Sequence, residues 1–121
     1  MKEIFVTKPI LPSKKKVYKL IDDLYSSKWL TNKGKYHNLL VDKLKNYFMT
    51  NYISLFANGT IALELALTAL DLKGEVITTP FTFPATIHSI VRNNLTPVFC
   101  DIKYEDYNID ENLIEKCITK K

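Results

Sequence analysis

The feature that most constrains the fold is an alternation of short apolar strands and helices that begins at residue 52. Three apolar runs predict strands at 52–56, 75–79 and 96–101, and the stretches that follow predict helices at 61–72, 84–94 and 111–119. Strands separated by helices of this length are joined by crossover connections, which favours a parallel sheet of the α/β class with right-handed crossovers. Ligands of such sheets bind beyond the carboxyl ends of the strands.

The first 51 residues have a different character, and we expect an extended arm followed by two helices. Prolines in the first twelve residues resist helix formation, and Ser13 can cap a helix that ends near Ser27. A second helix is predicted over 35–49, because apolar residues recur on one face of that segment. We therefore expect two regions, an N-terminal one at 1–51 and an α/β one at 52–121.

The composition of the 121 residues is that of one globular domain, with 46% hydrophobic and 25% charged residues. Two cysteines are too few for a disulfide scaffold or a four-cysteine zinc site. No apolar run is long enough to span a membrane, and the first residues lack the apolar segment of a signal peptide. These features favour a cytoplasmic protein with free thiols.

The net charge of +4 arises from 17 basic and 13 acidic residues. Arg92 is the single arginine, and the lysines are spread along the chain. Nucleic-acid recognition relies on clustered arginines, so a nucleic-acid partner is not expected. We expect no membrane partner and no metal site either.

The turn Asn58-Gly59-Thr60 joins the first predicted strand to the start of a helix. Free backbone N–H groups and the helix dipole make such a position an anion site, and Gly59 lets the backbone approach a phosphate closely. The turn is weak evidence alone, because every parallel α/β domain has such turns. The glycine-rich fingerprints of common nucleotide-binding loops are absent.

A second loop, Phe81-Thr82-Phe83-Pro84-Ala85-Thr86, follows the second predicted strand and carries two aromatic residues. An aromatic residue there either packs in the core or stacks on a planar ring. A phosphate at one loop and a flat ring at the other would describe one phosphorylated aromatic cofactor, and pyridoxal phosphate is the obvious candidate. Trp29 is either a packing anchor or part of a substrate pocket, and His88 is interpreted as a surface or helix-packing residue.

The chain resembles the N-terminal part of the DegT/DnrJ/EryC1/StrS family of pyridoxal-phosphate-dependent nucleotide-sugar aminotransferases, which have the fold-type I architecture. The segments that carry the resemblance, in order along the chain, are 27–34, 54–63, 74–86, 97–102 and 107–110. Two sequence segments, Ser-Lys-Trp-Leu-Thr-Asn and Ser-Leu-Phe-Ala-Asn-Gly-Thr, most resemble the corresponding segments of members that make dTDP-4-amino-4,6-dideoxyglucose.

The resemblance implies a function and a set of residue roles. It implies transfer of an amino group from glutamate to a dTDP-4-keto-6-deoxy sugar by a homodimer, with residues 52–121 forming part of the cofactor-binding large domain. It places the cofactor near Asn58, Gly59, Thr60, Phe83 and Thr86 and the sugar near Trp29, Thr31 and Lys35.

One part of the family pattern is missing from these 121 residues. The lysine that holds the cofactor covalently lies in a Ser-His-x-x-Lys-type segment, and no lysine here has that context. We therefore expect a truncated family member that is inactive alone, with a non-catalytic remnant or an assembly module as the alternative. The segment 52–56 is expected to have no strand neighbour from this chain.

Overall fold

The computed structural model describes residues 4–120, which contain five helices and two strands. The chain divides into two compact units, Met1–Ser54 and Leu55–Lys121. The first unit contains two of the helices, and the second contains three helices and both strands.

In the first unit, residues 4–12 form no helix or strand, and two amphipathic helices follow, α1 (Lys14–Ser27) and α2 (Lys35–Phe48). Ser13 caps α1 as predicted, because its hydroxyl accepts a hydrogen bond from the Lys16 backbone N–H at 3.4 Å. The structure therefore confirms both predicted helices to within one residue at each end.

The second unit contains an α/β arrangement with the elements α3 (Gly59–Leu70), β1 (Glu75–Thr78), α4 (Ala85–Arg92), β2 (Thr96–Phe99) and α5 (Glu111–Cys117). The two strands pair in parallel, with Glu75 opposite Thr96 and Thr78 opposite Phe99. Helix α4 is the crossover between them. The predicted α/β class with parallel strands is confirmed.

The strand predicted at 52–56 is wrong, because these residues form no ladder in the part of the chain described. A strand needs a hydrogen-bonding neighbour, and none of the described segments pairs with this one as a strand. Helix α3 also begins at Gly59, two residues earlier than predicted, because Asn58 caps it.

The buried centre of the second unit consists of Ser89 and Ile90 on α4, Leu95, and Cys100 at the end of β2. Helices α3 and α4 are tied by polar contacts. The Thr68 hydroxyl donates to Asn93 Oδ1 at 2.7 Å, and Arg92 pairs with Glu64 at 3.1 Å. These contacts fix α4 beside α3, while Leu70 and other apolar side chains of α3 stay exposed.

Among residues 4–120, no helix is both long and apolar enough to cross a membrane. The same residues contain no group of three or more His, Cys, Asp or Glu side chains that could hold a metal ion. Cys100 and Cys117 are free thiols.

Candidate functional site

The start of helix α3 is an open set of hydrogen-bond donors. Asn58 has extended backbone geometry, and its side chain accepts from the Ile61 backbone N–H at 3.0 Å. Its carbonyl accepts from the Ala62 N–H at 3.2 Å. Within residues 4–120 the backbone N–H groups of Gly59 and Thr60 and the Thr60 hydroxyl have no acceptor. Three donors therefore remain available at one helix end.

The surroundings of these donors suit a phosphate group. A Cβ built on Gly59 would meet nothing within 4 Å, so an anion can approach the backbone here without obstruction. Thr60 is half-buried in the first turn and Gly59 is exposed. Backbone N–H groups, a hydroxyl and the positive end of the helix dipole are the donor set that a phosphate monoester binds.

The loop between β1 and α4 presents an aromatic surface. Phe83 is 77% exposed and lies with Pro80, Phe81 and Thr82 around a shallow concavity of about 380 Å³. A core role for Phe83 is thereby excluded in this unit. An exposed ring beside an open concavity can stack on a planar heteroaromatic ligand.

Thr86 lies in the first turn of α4 and is half-buried. Its hydroxyl is 3.1 Å from the Thr82 hydroxyl, and its backbone N–H donates to the Phe83 carbonyl at 3.1 Å. Thr86 therefore links the aromatic loop to the helix that follows. If Thr86 donates in this contact, its oxygen keeps two lone pairs for a ligand, and if Thr82 donates, Thr86 keeps its proton and one lone pair.

In the first unit, the structure brings together Trp29, Thr31 and Lys35, the three residues that the resemblance assigns to the sugar. They line one concavity of about 220 Å³ between the end of α1 and the start of α2. The Trp29 indole N–H donates to the Thr31 hydroxyl at 3.1 Å, and the ring is half exposed. The arrangement combines an aromatic face with polar groups, which suits a sugar.

Asp23, which sequence reasoning missed, contacts two residues that line this concavity, Lys35 and Tyr36. One of its carboxylate oxygens accepts from Lys35 Nζ at 2.8 Å and from the Tyr36 hydroxyl at 2.7 Å. The Lys35 and Tyr36 hydrogen bonds hold the pKa of Asp23 below its usual value. The same carboxylate raises the pKa of Lys35 and that of Tyr36. These residues are 12 and 13 positions apart, so no local pattern indicates the contact.

A second feature that sequence reasoning missed is an aromatic cluster beside the β1–α4 loop. The rings of Phe81 and Tyr107 lie 5.8 Å apart between centroids, and those of Tyr104 and Tyr107 lie 6.4 Å apart. Tyr107 has a left-handed backbone with φ of 60°. The segment Tyr-Asn-Ile-Asp contributed to the family resemblance, but nothing in it indicated a contact with Phe81.

His88 is exposed on α4. His37, in the first turn of α2, has Nδ1 3.4 Å from Asn38 Oδ1. Among the described residues, neither histidine takes part in an ion pair. The interpretation of His88 as a surface residue agrees with its exposure.

The model of the DegT/DnrJ/EryC1/StrS aminotransferase family matches residues 13–121. The chain belongs to this family. It is 49% identical over 120 residues to the dTDP-4-amino-4,6-dideoxy-D-glucose transaminase of Escherichia coli, and the match covers 99% of this chain and 32% of that protein. The chain thus spans about a third of the length of this curated relative.

Two solved structures, those of DesI and NtdA, share the fold of this chain. DesI, crystallised in the presence of its TDP-sugar product, has a TM-score of 0.79 and 30% identity, covering 89% of this chain and 28% of DesI. NtdA from Bacillus subtilis, solved with the cofactor PMP, has a TM-score of 0.77 and 26% identity, covering 98% of this chain and 29% of NtdA. The resemblance seen in the sequence and the expected fold class are both confirmed.

Proposed function

We propose that this chain forms part of the pyridoxal-phosphate site of a nucleotide-sugar aminotransferase. The observation that carries the proposal is the presence, in one compact unit, of an open helix N-terminus and an exposed aromatic loop. One offers donors to a phosphate and the other offers a ring face. Membership of an aminotransferase family and the PMP bound to NtdA support the choice of ligand.

In this proposal, one group of residues binds the phosphate of the cofactor and another contacts its pyridine ring. Gly59 and Thr60 bind the phosphate through backbone N–H groups and a hydroxyl, while Asn58 keeps the helix start open by capping it. Phe83 stacks on the pyridine ring and sets its plane, and Thr86 holds the loop that carries Phe83. The cofactor, when bound, supplies the electron sink for amino transfer.

The proposed substrate is inferred from the names of the relatives. The proposed reaction transfers the amino group of glutamate to a dTDP-4-keto-6-deoxy sugar in a homodimeric enzyme. The Escherichia coli relative is named for the corresponding amino sugar, and DesI was crystallised with a TDP-sugar. In this chain the concavity lined by Trp29, Thr31 and Lys35 is the proposed sugar contact.

A titration of the 121-residue chain with pyridoxamine 5′-phosphate, followed by ligand fluorescence, tests the cofactor site. Thr60→Ala is expected to weaken binding by about 1 kcal/mol or somewhat more, because it removes one hydrogen bond to a charged acceptor. Phe83→Ala is expected to weaken it to a similar degree through lost stacking. Leu70→Ala is the control, since Leu70 lies in the same helix, away from the site, and its side chain is exposed. Equal affinity for all four proteins would contradict the proposal.

A chimera tests the substrate assignment. In it, this chain replaces the matched segment of the Escherichia coli transaminase, and the amino sugar formed from glutamate and a dTDP-linked 4-keto-6-deoxy sugar is measured. We expect turnover that falls with Thr60→Ala and Phe83→Ala. A folded, cofactor-loaded chimera that aminates other keto sugars but not this one would contradict the assignment.

A further inference from the structure

We propose that Tyr107 is a positioning residue for the cofactor ring: it packs against Phe81 and thereby fixes the loop that presents Phe83. The inference rests on the proposed function, because it assigns Phe83 to the pyridine ring. It concerns a residue outside both site loops, more than twenty positions along the chain from Phe83.

The contact itself is between two rings that approach at an angle. The centroids of Phe81 and Tyr107 are 5.8 Å apart, and the ring planes are inclined by 33°. The ring of Tyr104 also contacts that of Tyr107, with 6.4 Å between centroids and 56° between ring planes. Within residues 4–120, Tyr104 has no ring contact with Phe81. Tyr107 is therefore the link between the site loop and the segment after β2.

The segment that carries Tyr107 is a closed excursion of the chain, residues 102–109. Ile102 and Ile109 pair in antiparallel fashion at its base. The backbone N–H of Lys103 donates to the Asn108 carbonyl at 2.8 Å, and the N–H of Tyr107 donates to the Lys103 carbonyl at 3.0 Å. This excursion can therefore hold a side chain in a fixed place.

An ion-pair network adds to this fixation. Lys103 Nζ is 3.0 Å from a carboxylate oxygen of Glu111, at the start of α5, and 3.6 Å from one of Asp106. The Glu111 hydrogen bond is the main reason why the pKa of Lys103 is raised. The network ties the excursion to α5 on one side and to its own turn on the other.

The backbone of Tyr107 shows that its place is imposed by these surroundings. A bulky residue with φ of 60° is unfavourable, and such a conformation persists only where neighbouring contacts determine it. Asparagine tolerates this conformation far better than tyrosine does. The turn therefore keeps a tyrosine at position 107, although tyrosine disfavours the left-handed backbone conformation found there.

In the part of the chain described, the loop that Tyr107 contacts makes no hydrogen bond to a residue outside 79–90. Its hydrogen bonds are local: Phe81 N–H to the Thr79 hydroxyl at 3.1 Å, and Thr82 N–H to the Pro80 carbonyl at 3.0 Å. Phe83 is 77% exposed. A platform that is ordered before binding loses less conformational entropy when the ligand arrives, so a ring held through Phe81 binds its ligand more tightly.

The test compares two ligands on the 121-residue chain, inorganic phosphate and pyridoxamine 5′-phosphate. Tyr107→Asn removes the ring and keeps a residue that suits the left-handed backbone, whereas Tyr107→Phe keeps the ring. We expect Tyr107→Asn to weaken pyridoxamine 5′-phosphate about three- to tenfold, the range of a lost aromatic contact. Phosphate affinity is expected to stay unchanged, because α3 is untouched, and Tyr107→Phe is expected to bind as the wild type does.

Hydrogen exchange of the backbone amides of residues 81–83, 85 and 86 provides a readout that needs no ligand; Pro84 has no N–H. We expect faster exchange there in Tyr107→Asn and unchanged exchange in Tyr104→Ala, the matched control. Unchanged loop exchange in Tyr107→Asn overturns the inference, as does a loosened loop with unaltered pyridoxamine 5′-phosphate affinity. If the wild-type chain binds neither ligand, the proposed function fails, and the exchange data still decide whether Tyr107 holds the loop.

Discussion

At the scale of single residues, Asp23 organises two neighbours through one carboxylate oxygen. Its pKa is lowered, first by the Lys35 hydrogen bond and then by that of Tyr36, so the ionised form is favoured in the folded state. An ionised carboxylate only accepts hydrogen bonds, so the Tyr36 hydroxyl donates to it and has only lone pairs to offer elsewhere. The contact with Asp23 therefore leaves the Tyr36 hydroxyl as an acceptor, and not a donor, toward any other group at this surface.

This contact predicts a characteristic pH dependence of stability. The lowered pKa of Asp23 contributes stability above the ordinary carboxyl pKa and loses it as the pH falls below about 4. The raised pKa values of Lys35 and Tyr36 contribute stability at neutral pH and lose it as the pH rises above about 10. Asp23→Asn should therefore lower the thermal midpoint most between these limits.

Thermal unfolding of Asp23→Asn and wild type across pH 3–11 measures this difference. The effect is expected to be small, because the groups are partly exposed and solvent screens them. Asp22→Asn, the neighbouring change on the same helix, serves as the control and should show no such window. A deficit in Asp23→Asn that persists undiminished at pH 3 would sink the assignment.

At the scale of elements, Asn58 has two roles that one pair of variants separates. Its side chain caps α3 at 3.0 Å from the Ile61 N–H, so Asn58→Ala should destabilise the chain by about 1 kcal/mol. Asn58→Asp keeps the cap and favours the helix dipole, so stability should be retained. Its added negative charge beside Gly59 should nevertheless weaken phosphate binding several-fold.

Chemical denaturation and phosphate titration of the two variants together check this prediction. Salt should reduce the binding defect of Asn58→Asp, because the repulsion is electrostatic. Asn58→Ser, which retains a capping oxygen without charge, is the control for both measurements. Phosphate affinity that is unaltered in Asn58→Asp would place the anion elsewhere.

The elements also show which parts of the fold are predictable from the sequence. The start of α1 follows a local rule, and its Ser13 cap is predicted from neighbouring residues alone, whereas the start of α3 is predicted two residues too late because the Asn58 cap is not recognised. The strand at 75–78 formed because residues 96–99 lie beside it. The apolar run at 52–56 looks the same in sequence but finds no partner among the described segments. Strand formation depends on distant residues, and so do the Phe81–Tyr107 and Asp23–Tyr36 contacts.

At the scale of the whole molecule, the lysines of the chain decide whether it can hold pyridoxal phosphate covalently. The chain has two candidate site loops in one unit and belongs to an aminotransferase family. A lysine that holds pyridoxal phosphate covalently must be fixed beside the reactive carbon and desolvated. Lys35 and Lys103, for example, are engaged in ion pairs on the surface. None of the lysines has the Ser-His-x-x-Lys context.

The 121-residue chain should consequently bind pyridoxal phosphate without a site-specific covalent link and show no transaminase turnover alone. Borohydride reduction followed by peptide mapping should give substoichiometric labels scattered over several exposed lysines. The chimera with the Escherichia coli transaminase is the positive control, and it should give one dominant label outside the segment supplied by this chain. A single lysine of this chain labelled at full occupancy would show that the chain carries its own covalent site, and turnover by the pure chain would lead to the same conclusion.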